Sequence, residues 1–308
     1  MKFTIAVHGG AGTILKKDMT PDLERNYITG LQQALNAGYS VLQHGGSAMD
    51  AVIEAVIVLE DNILFNAGRG SVFTKRGLHE MDAAVMNGTD LAAGAVCAVH
   101  KVRNPVKLAA AVMYNTDHVM LSGEGADDFA AEQGFIAEPG DYFFSQFRFD
   151  QWQQIRESDK FQLDHAAQQE KKFGTVGAVA CDEYGNIAAA TSTGGMTNKN
   201  YGRIGDTPLI GCGTYANNKT CAISCTGHGE LFIKAVAAYD VSCLMEYANL
   251  GLHDAMHKVV NEKLVAINGE GGMIGVDANG DFALLFNSEG MYRGVKNSEG
   301  LNEVAIYK

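Results

Sequence analysis

The sequence is poor in positive charge and in proline, and it has no long apolar run. Lysine and arginine number 24 against 36 acidic residues, a formal charge of -12. A surface of that sign repels phosphate backbones and anionic headgroups, so nucleic acid and membrane are not expected partners. No stretch reaches the roughly 20 apolar residues of a membrane span. The opening residues Met1 to His8 are too short an apolar segment for a signal peptide before Gly9-Gly10 interrupts them, and a cytoplasmic protein is expected. The six cysteines, at positions 97, 181, 212, 221, 225 and 243, include no CxxC pair and lie mostly in apolar runs. Buried free thiols are therefore expected rather than disulfides or zinc ligands. No GxGxxG follows a strand, and the glycine-rich His8-Gly9-Gly10-Ala11-Gly12 lacks the Lys-Ser/Thr ending of a phosphate-binding loop. Nucleotide sites and organic cofactors are thus not expected.

What is present is an ordinary globular chain of 308 residues, 46% hydrophobic and 19% charged, long enough to bury a sizeable core as one domain over 1–308. Its 36 glycines against 4 prolines point to tight turns and close backbone approaches in a sheet-rich fold. Phe3 to Val7 reads as a buried strand. Thr20-Pro21 reads as N-cap and first turn of a helix striped by Leu23, Tyr27, Leu31, Leu35 and Leu42, and Ser47 with Asp50 as the cap of a second, buried helix from Ala48 to Leu59. The run from Glu60 to Ser71 is expected to be an ordered loop under the core. Two strand pairs follow in this reading, one turning at Lys75-Arg76-Gly77, the other pairing Met81–Met86 with Leu91–Val99 around Asn87-Gly88. Then come a helix from Asn104-Pro105 to about Tyr114, a short strand His118 to Leu121, and a helix Ala126 to Gln133. Residues 137–173 lack an apolar period and read as a surface linker, partly helical at most. Beyond it, strands are expected at Thr175–Ala180, Ile187–Thr191, Leu209–Tyr215 and Cys221–Cys225. Helices are expected at Glu230–Tyr247 and about His253–Leu264, with a last hairpin, Met273–Phe286, turning at Asn279-Gly280. Grouped helices and hairpins favour antiparallel sheets with helices outside, an α+β fold.

The stretch Phe173-Gly174-Thr175-Val176-Gly177-Ala178-Val179 places Thr175 where polar chain becomes buried strand. A threonine hydroxyl needs a base, and an N-terminal threonine has one in its own α-amine, which titrates near ~7.7–8.0. Here that amine is tied up in the Gly174–Thr175 peptide bond, so the chain must first be cut. Glycine before the threonine tolerates the backbone angles that bring the hydroxyl onto the Gly174 carbonyl. On this heptapeptide alone, an ordinary strand start is the simpler reading. Clusters of small polar residues elsewhere add weight: Asn66, Thr191-Ser192-Thr193-Gly194-Gly195, Gly202-Arg203-Ile204-Gly205-Asp206 and Thr226-Gly227-His228-Gly229-Glu230. A hydroxyl beside an exposed N–H at Thr226-Gly227 suits an oxyanion hole. Arg203 and Asp206 offer the cation and anion that complement an amino acid's carboxylate and ammonium. His253 and His257 have helical spacing but no acidic partner, and read as surface histidines.

Taken together, His8–Gly12, Phe65-Asn66-Ala67-Gly68, Gly174–Val179, Ala190–Gly195, Gly202–Asp206 and Thr226–Glu230 resemble the plant-type L-asparaginases, also called isoaspartyl (β-aspartyl) peptidases, which are N-terminal nucleophile hydrolases. The resemblance spans nearly the whole chain. It implies a four-layer αββα sandwich with antiparallel sheets, a precursor that cuts itself into 1–174 and 175–308, and a dimer of processed pairs. It implies that Thr175 is the nucleophile, that Thr193 bonds its hydroxyl, and that Asn66 helps to position it. Thr226 and Gly227 would form the oxyanion hole, Arg203 would hold the substrate α-carboxylate, and Asp206 with the Gly229 carbonyl would hold the α-ammonium. It further implies a sodium ion on backbone carbonyls of Leu59, Glu60, Asn62, Phe65, Ala67 and Arg69. The implied substrates are L-asparagine and β-aspartyl dipeptides. Two relatives fit less well: glycosylasparaginases are exported and disulfide-bonded, and threonine endopeptidases carry a larger insertion before the nucleophile. A non-catalytic amino-acid binder would use Arg203 and Asp206 but has no need of Gly174-Thr175.

Overall fold

A computed structural model of the protein describes residues 2–157 and 174–308. Strand β1 (Thr4–Gly12) leads to helices α1 (Pro21–Gln43) and α2 (Ala48–Asp61), then β2 (Met81–Asn87), β3 (Ala93–Val99), α3 (Pro105–Asn115), β4 (Met120–Ser122) and α4 (Gly123–Glu132). Short helices α5 (Gly140–Phe143) and α6 (Gln146–Ile155) follow. The second half holds β5 (Val176–Cys181), β6 (Ile187–Thr193), β7 (Thr214–Ala216), β8 (Ala222–Gly227), α7 (Gly229–Ala235), α8 (Ala237–Ala248), α9 (Leu252–His257), a π-helical turn Lys258–Lys263, α10 (Leu264–Ala266), β9 (Gly271–Val276), β10 (Phe282–Phe286), β11 (Gly290–Asn297) and β12 (Asn302–Tyr307).

The strands form an eight-stranded sheet in the order β12-β11-β1-β5-β6-β2-β3-β4 and a four-stranded sheet β10-β9-β8-β7. Helices α1 to α3 cover one face of the large sheet, β8 and β9 pack on its other face, and α8 and α9 pack on the small sheet. The local causes are those the sequence offers: Thr20 and Ser47 accept N–H bonds from Leu23 and Asp50 at the helix starts. Alternation on β2 sends Met81, Ala83 and Val85 into the core beneath the helices and Met86 into the second core. The two sheets approach closely because Gly177 has no side chain: a Cβ there would stand 2.0 Å from Ser224 Oγ.

Several expectations need correction. The sheets are not all antiparallel, since β4 runs parallel to β3; α3 crosses over between them and returns the chain in the same direction. No strands flank Lys75-Arg76-Gly77; the tight turn exists, closed by the Thr74 and Leu78 backbones at 2.8 Å, but residues 71–80 serve as a loop. The expected strand Leu209–Tyr215 is reduced to β7. The expected helix Glu230–Tyr247 breaks at Val236, whose φ of 48° is left-handed. Residues 140–155 are helical and packed, not a bare linker: Phe143 and Arg148 are 1% exposed, and the Trp152 ring stacks on Phe73 at 5.7 Å. The rest of the expected linker, 158–173, lies outside the described residues. Strands β11 and β12 were not expected at all. All six cysteines are free, as anticipated.

Candidate active site

Thr175 stands at the head of β5 and Thr193 at the end of β6, adjacent antiparallel strands. Both are nearly buried, and the Thr175 hydroxyl donates to Thr193 Oγ1 at 3.2 Å. The Gly195 N–H donates to the same Thr193 oxygen at 3.0 Å, so both its lone pairs are engaged and its position is fixed. Asn66 works one step further out than expected. Its amide donates to the Gly195 carbonyl at 2.7 Å and accepts the Val72 N–H at 3.0 Å, while its backbone carbonyl accepts the Gly194 N–H at 2.9 Å. It pins the Gly194-Gly195 turn, which in turn holds Thr193. The turn needs glycine: a Cβ on Gly194 would meet Asn66 Oδ1 at 2.4 Å.

The other expected site residues have a different character. Thr226, at the end of β8, is fully buried and its hydroxyl has no hydrogen-bond partner. Asp206 is 4% exposed and its Oδ2 is equally unpaired; burial pushes its carboxyl up to about 7 despite its own backbone N–H and the Arg203 charge. A buried polar atom without a partner is costly in a finished core and is the signature of a place kept for a ligand. Gly229 lies between the two recognition residues, because a Cβ there would be 2.9 Å from both Arg203 Nη2 and Asp206 Oδ1. Arg203 is engaged: Nε and Nη2 donate to Glu230 Oε1 and Oε2 at 2.8 and 3.0 Å. Burial raises the Glu230 carboxyl, but the Arg203 bonds and charge outweigh it and hold it below its ordinary range. Of the site residues expected from the sequence, Thr175, Thr193 and Asn66 form one group with Gly194 and Gly195, and Arg203, Asp206 and Gly229 form another with Glu230; Thr226 and Gly227 end β8.

Three further residues escaped the sequence reading. Asp82 on β2 faces Thr193 in register, is fully buried, accepts the Ala98 N–H at 2.8 Å and leaves Oδ2 unpaired. Lys199, also buried, donates to the Glu80 carbonyl at 2.9 Å, and its Nζ would be 3.1 Å from a Cβ on Gly195. Glu230 is the third. Two had a visible signal: a lone acid in the apolar strand Met81–Asn87, and an acid closing the polar run Thr226–Glu230; Lys199, four residues past Gly194-Gly195, had none.

Of the residues named for a cation, Leu59 and Glu60 lie in the last turn of α2, and Asn62, Phe65, Ala67 and Arg69 follow it. The segment is tightly folded: a Cβ on Gly70 would be 2.0 Å from the Phe65 carbonyl oxygen, and one on Gly68, whose φ is +50°, 2.6 Å from that of Glu60. The carbonyls of Leu59, Asn62, Phe65 and Ala67 accept the N–H groups of Asn62, Phe65, Ala67 and Gly70, and neutral oxygens of this kind are donors a hard cation takes; among the described residues no group of histidine, cysteine, aspartate or glutamate could hold a metal. His253 and His257 are exposed on α9, as expected.

A profile of the family described as asparaginase matches residues 1–306. The chain is 52% identical to an isoaspartyl peptidase of Salmonella typhimurium, over 95% of this chain and 94% of that protein. It is 50% identical to one of Escherichia coli, over 95% and 92%, and 43% identical to an isoaspartyl peptidase/L-asparaginase of Xenopus laevis, over 94% and 91%. With a hydrogen-bonded threonine pair at the ends of adjacent strands and likeness along nearly its entire length, the chain belongs to the asparaginase family.

Proposed function

We propose that the protein is a self-processing threonine amidohydrolase that converts β-aspartyl dipeptides and L-asparagine to L-aspartate. The observation that carries this reading is the buried hydrogen bond from the Thr175 hydroxyl to Thr193 directly after Gly174. The relatives named above as isoaspartyl peptidases support it, and the fold in this reading is the αββα sandwich of N-terminal nucleophile hydrolases.

Maturation comes first. The Thr175 hydroxyl attacks the Gly174 carbonyl, the peptide C–N bond breaks as the acyl group moves to oxygen, and water hydrolyses the resulting ester. The chain is then 1–174 and 175–308, and Thr175 has a free α-amine. In catalysis that amine takes the hydroxyl proton while the oxygen attacks the side-chain carbonyl of the aspartyl unit. The Thr226 hydroxyl and Gly227 N–H donate to the developing oxyanion. The leaving ammonia or peptide amine departs with a proton from the α-amine, and water releases aspartate from the ester on Thr175. Arg203 receives the substrate α-carboxylate, which shares the guanidinium with Glu230 or displaces it. Ionised Asp206 and the Gly229 carbonyl receive the α-ammonium. A sodium ion on the carbonyls of Leu59, Glu60, Asn62, Phe65, Ala67 and Arg69 would stiffen the loop that carries Asn66. The mature particle is a dimer of processed pairs.

Because recognition uses a free α-carboxylate and a free α-ammonium, only the side-chain carbonyl can reach Thr175. Incubating the mature protein with β-Asp-Leu, α-Asp-Leu, asparagine and glutamine tests this. The β-linked peptide and asparagine should be hydrolysed. The α-linked peptide should react about 10²-fold more slowly or worse, since Arg203 would face a neutral amide. Comparable hydrolysis of α-Asp-Leu would remove Arg203 from its role. A denaturing gel that shows an uncut chain with full activity would remove the maturation step.

A further inference from the structure

The proposed chemistry gives α6 no task, yet this helix carries a buried charge. Arg148, on its first turn, is 1% exposed. Burying a guanidinium costs free energy unless its N–H groups find acceptors, and two of these groups reach far back along the chain. Nε donates to the Gly70 carbonyl at 3.1 Å and Nη2 to the Leu64 carbonyl at 3.3 Å, while Nη1 donates to Gln151 Oε1 on the next turn at 3.4 Å. One planar fork serves residues 64 and 70 together because the loop folds back on itself there: a Cβ on Gly70 would stand 2.0 Å from the Phe65 carbonyl oxygen and 2.7 Å from that of Ile63. Neither Leu64 nor Gly70 is among the carbonyls proposed for sodium, so ion and guanidinium would hold the loop through different atoms.

Asn66 lies between those two acceptors in the chain. Its amide donates to the Gly195 carbonyl at 2.7 Å and its backbone carbonyl accepts the Gly194 N–H at 2.9 Å; the turn so held supplies the Gly195 N–H that bonds Thr193 Oγ1. Helix α6 meets the same assembly at two more points. Trp152 stacks on Phe73, the neighbour of the Val72 whose N–H bonds Asn66 Oδ1. The Ile155 carbonyl accepts the Asn198 side-chain amide at 3.2 Å, and the Asn198 backbone N–H donates to the Phe73 carbonyl at 2.8 Å. The helix thus ties the loop that carries Asn66 to the segment that follows Gly194-Gly195. After cleavage at Gly174–Thr175, α6 and Asn66 would belong to one piece and Thr193, Gly195 and Asn198 to the other, joined by these contacts alone.

We propose that α6 is a brace for the nucleophile and that Arg148 is the positioning residue that sets it, holding the 64–70 loop so that Asn66 meets the Gly194-Gly195 turn in the arrangement that seats Thr193 against Thr175. The proposal rests on Thr175 being the nucleophile. Arg148→Met removes the fork while filling much of its space, and Arg148→Lys keeps the charge with a point donor in place of the fork. Rates on asparagine and β-Asp-Leu are taken per processed chain, counted on a denaturing gel. In Arg148→Met kcat should fall about tenfold, as for other groups that orient a functional residue indirectly, with KM within about twofold; Arg148→Lys should fall between it and the wild type. The route through Asn66 is read by combining variants. Residues that act as one unit are not additive, so in an Asn66→Ala background Arg148→Met should lower kcat by less than about twofold further. A lower melting temperature with kcat unchanged would make Arg148 merely structural and overturn the proposal, as would a loss confined to KM or one that persists undiminished in the Asn66→Ala background. If Arg148→Met does not fold, Arg148→Lys is carried through the same cycle, where the absence of any loss overturns the proposal, as does a loss that survives without Asn66. Activity surviving in Thr175→Ala would instead overturn the nucleophile assignment itself, whatever Arg148 does.

Discussion

The group around Thr175, proposed to hold the nucleophile, and the group around Arg203, proposed to recognise the substrate, are built on opposite terms. Around Thr175 the hydrogen-bonding atoms of Thr193 and Asn66 are engaged within the protein, through Gly194, Gly195 and Val72. Around Arg203 the polar atoms are idle or lent elsewhere: Asp206 Oδ2 and the Thr226 hydroxyl have no partner, and the guanidinium is held by Glu230. The first arm costs nothing to organise when substrate arrives. The second is completed by the ligand, so its affinity and its pH dependence belong to the complex.

The sharpest break of this contrast is at Thr175. Thr175→Ala should lose activity by at least about four orders of magnitude and remain uncut, because no other residue replaces a nucleophile; rate assays and a denaturing gel check both. On the recognition arm, Arg203→Lys keeps the charge but not the planar fork. It should lower kcat/KM by about 10²-fold, equivalent to two charged hydrogen bonds, and unchanged kinetics would take Arg203 out of the site. Asn66→Ala removes one bond to the Gly195 carbonyl and one from the Val72 N–H, at about 1 kcal/mol each, and keeps the backbone bond to Gly194; kcat should fall roughly tenfold with KM nearly constant, so a KM effect would blur the division between the arms.

The pH dependence tests the idle side directly. Asp206 is held up to about 7 by burial, and only its ionised form attracts an ammonium. Hence kcat/KM should fall as pH drops through about 7, a limb that Asp206→Asn should abolish along with most of the binding. A smaller effect lies behind the nucleophile arm. Glu60 accepts the Ser192 hydroxyl at 2.6 Å and the Val106 N–H at 3.0 Å, yet burial lifts its carboxyl to about 8. A carboxyl raised in the folded state makes stability fall as pH climbs from its ordinary value of about 4.5 toward 8, and level off above. Glu60→Gln should flatten that slope in thermal unfolding, each kcal/mol showing as about 2–4 °C.

The same two arms explain what was legible in the sequence. The nucleophile arm is made of neighbours in sequence, a threonine after glycine and a threonine before two glycines, so its parts announce themselves. Recognition residues could be named, but that Glu230 already grips Arg203 depends on α7 placing its first turn against the 203–206 loop, which spacing does not state. Asp82 was hidden by the apolar residues flanking it on β2, although a lone acid there had to face something polar. Strand β11 escaped because glycine, arginine and lysine interrupt its alternation, and β12 because it is short and opens on Asn302-Glu303, as an edge strand allows. The aromatic residues between 142 and 152 are irregularly spaced, which conceals that Phe144, Phe149 and Trp152 pack as a cluster on Phe73 rather than along one helix face.

Trp152, the only tryptophan in the chain, sits in that cluster, stacked on Phe73 at 5.7 Å and tilted against Phe149 at 5.8 Å. Its helix also hands the Ile155 carbonyl to the Asn198 amide at 3.2 Å, one residue from Lys199. The protein therefore contains a single tryptophan fluorophore, seated where α6 packs on Phe73 and bonds Asn198. Emission excited at the red edge, where tyrosine does not absorb, comes from this one ring, and a shift in it on maturation or on ligand binding would report a change at one place in the fold with no label attached.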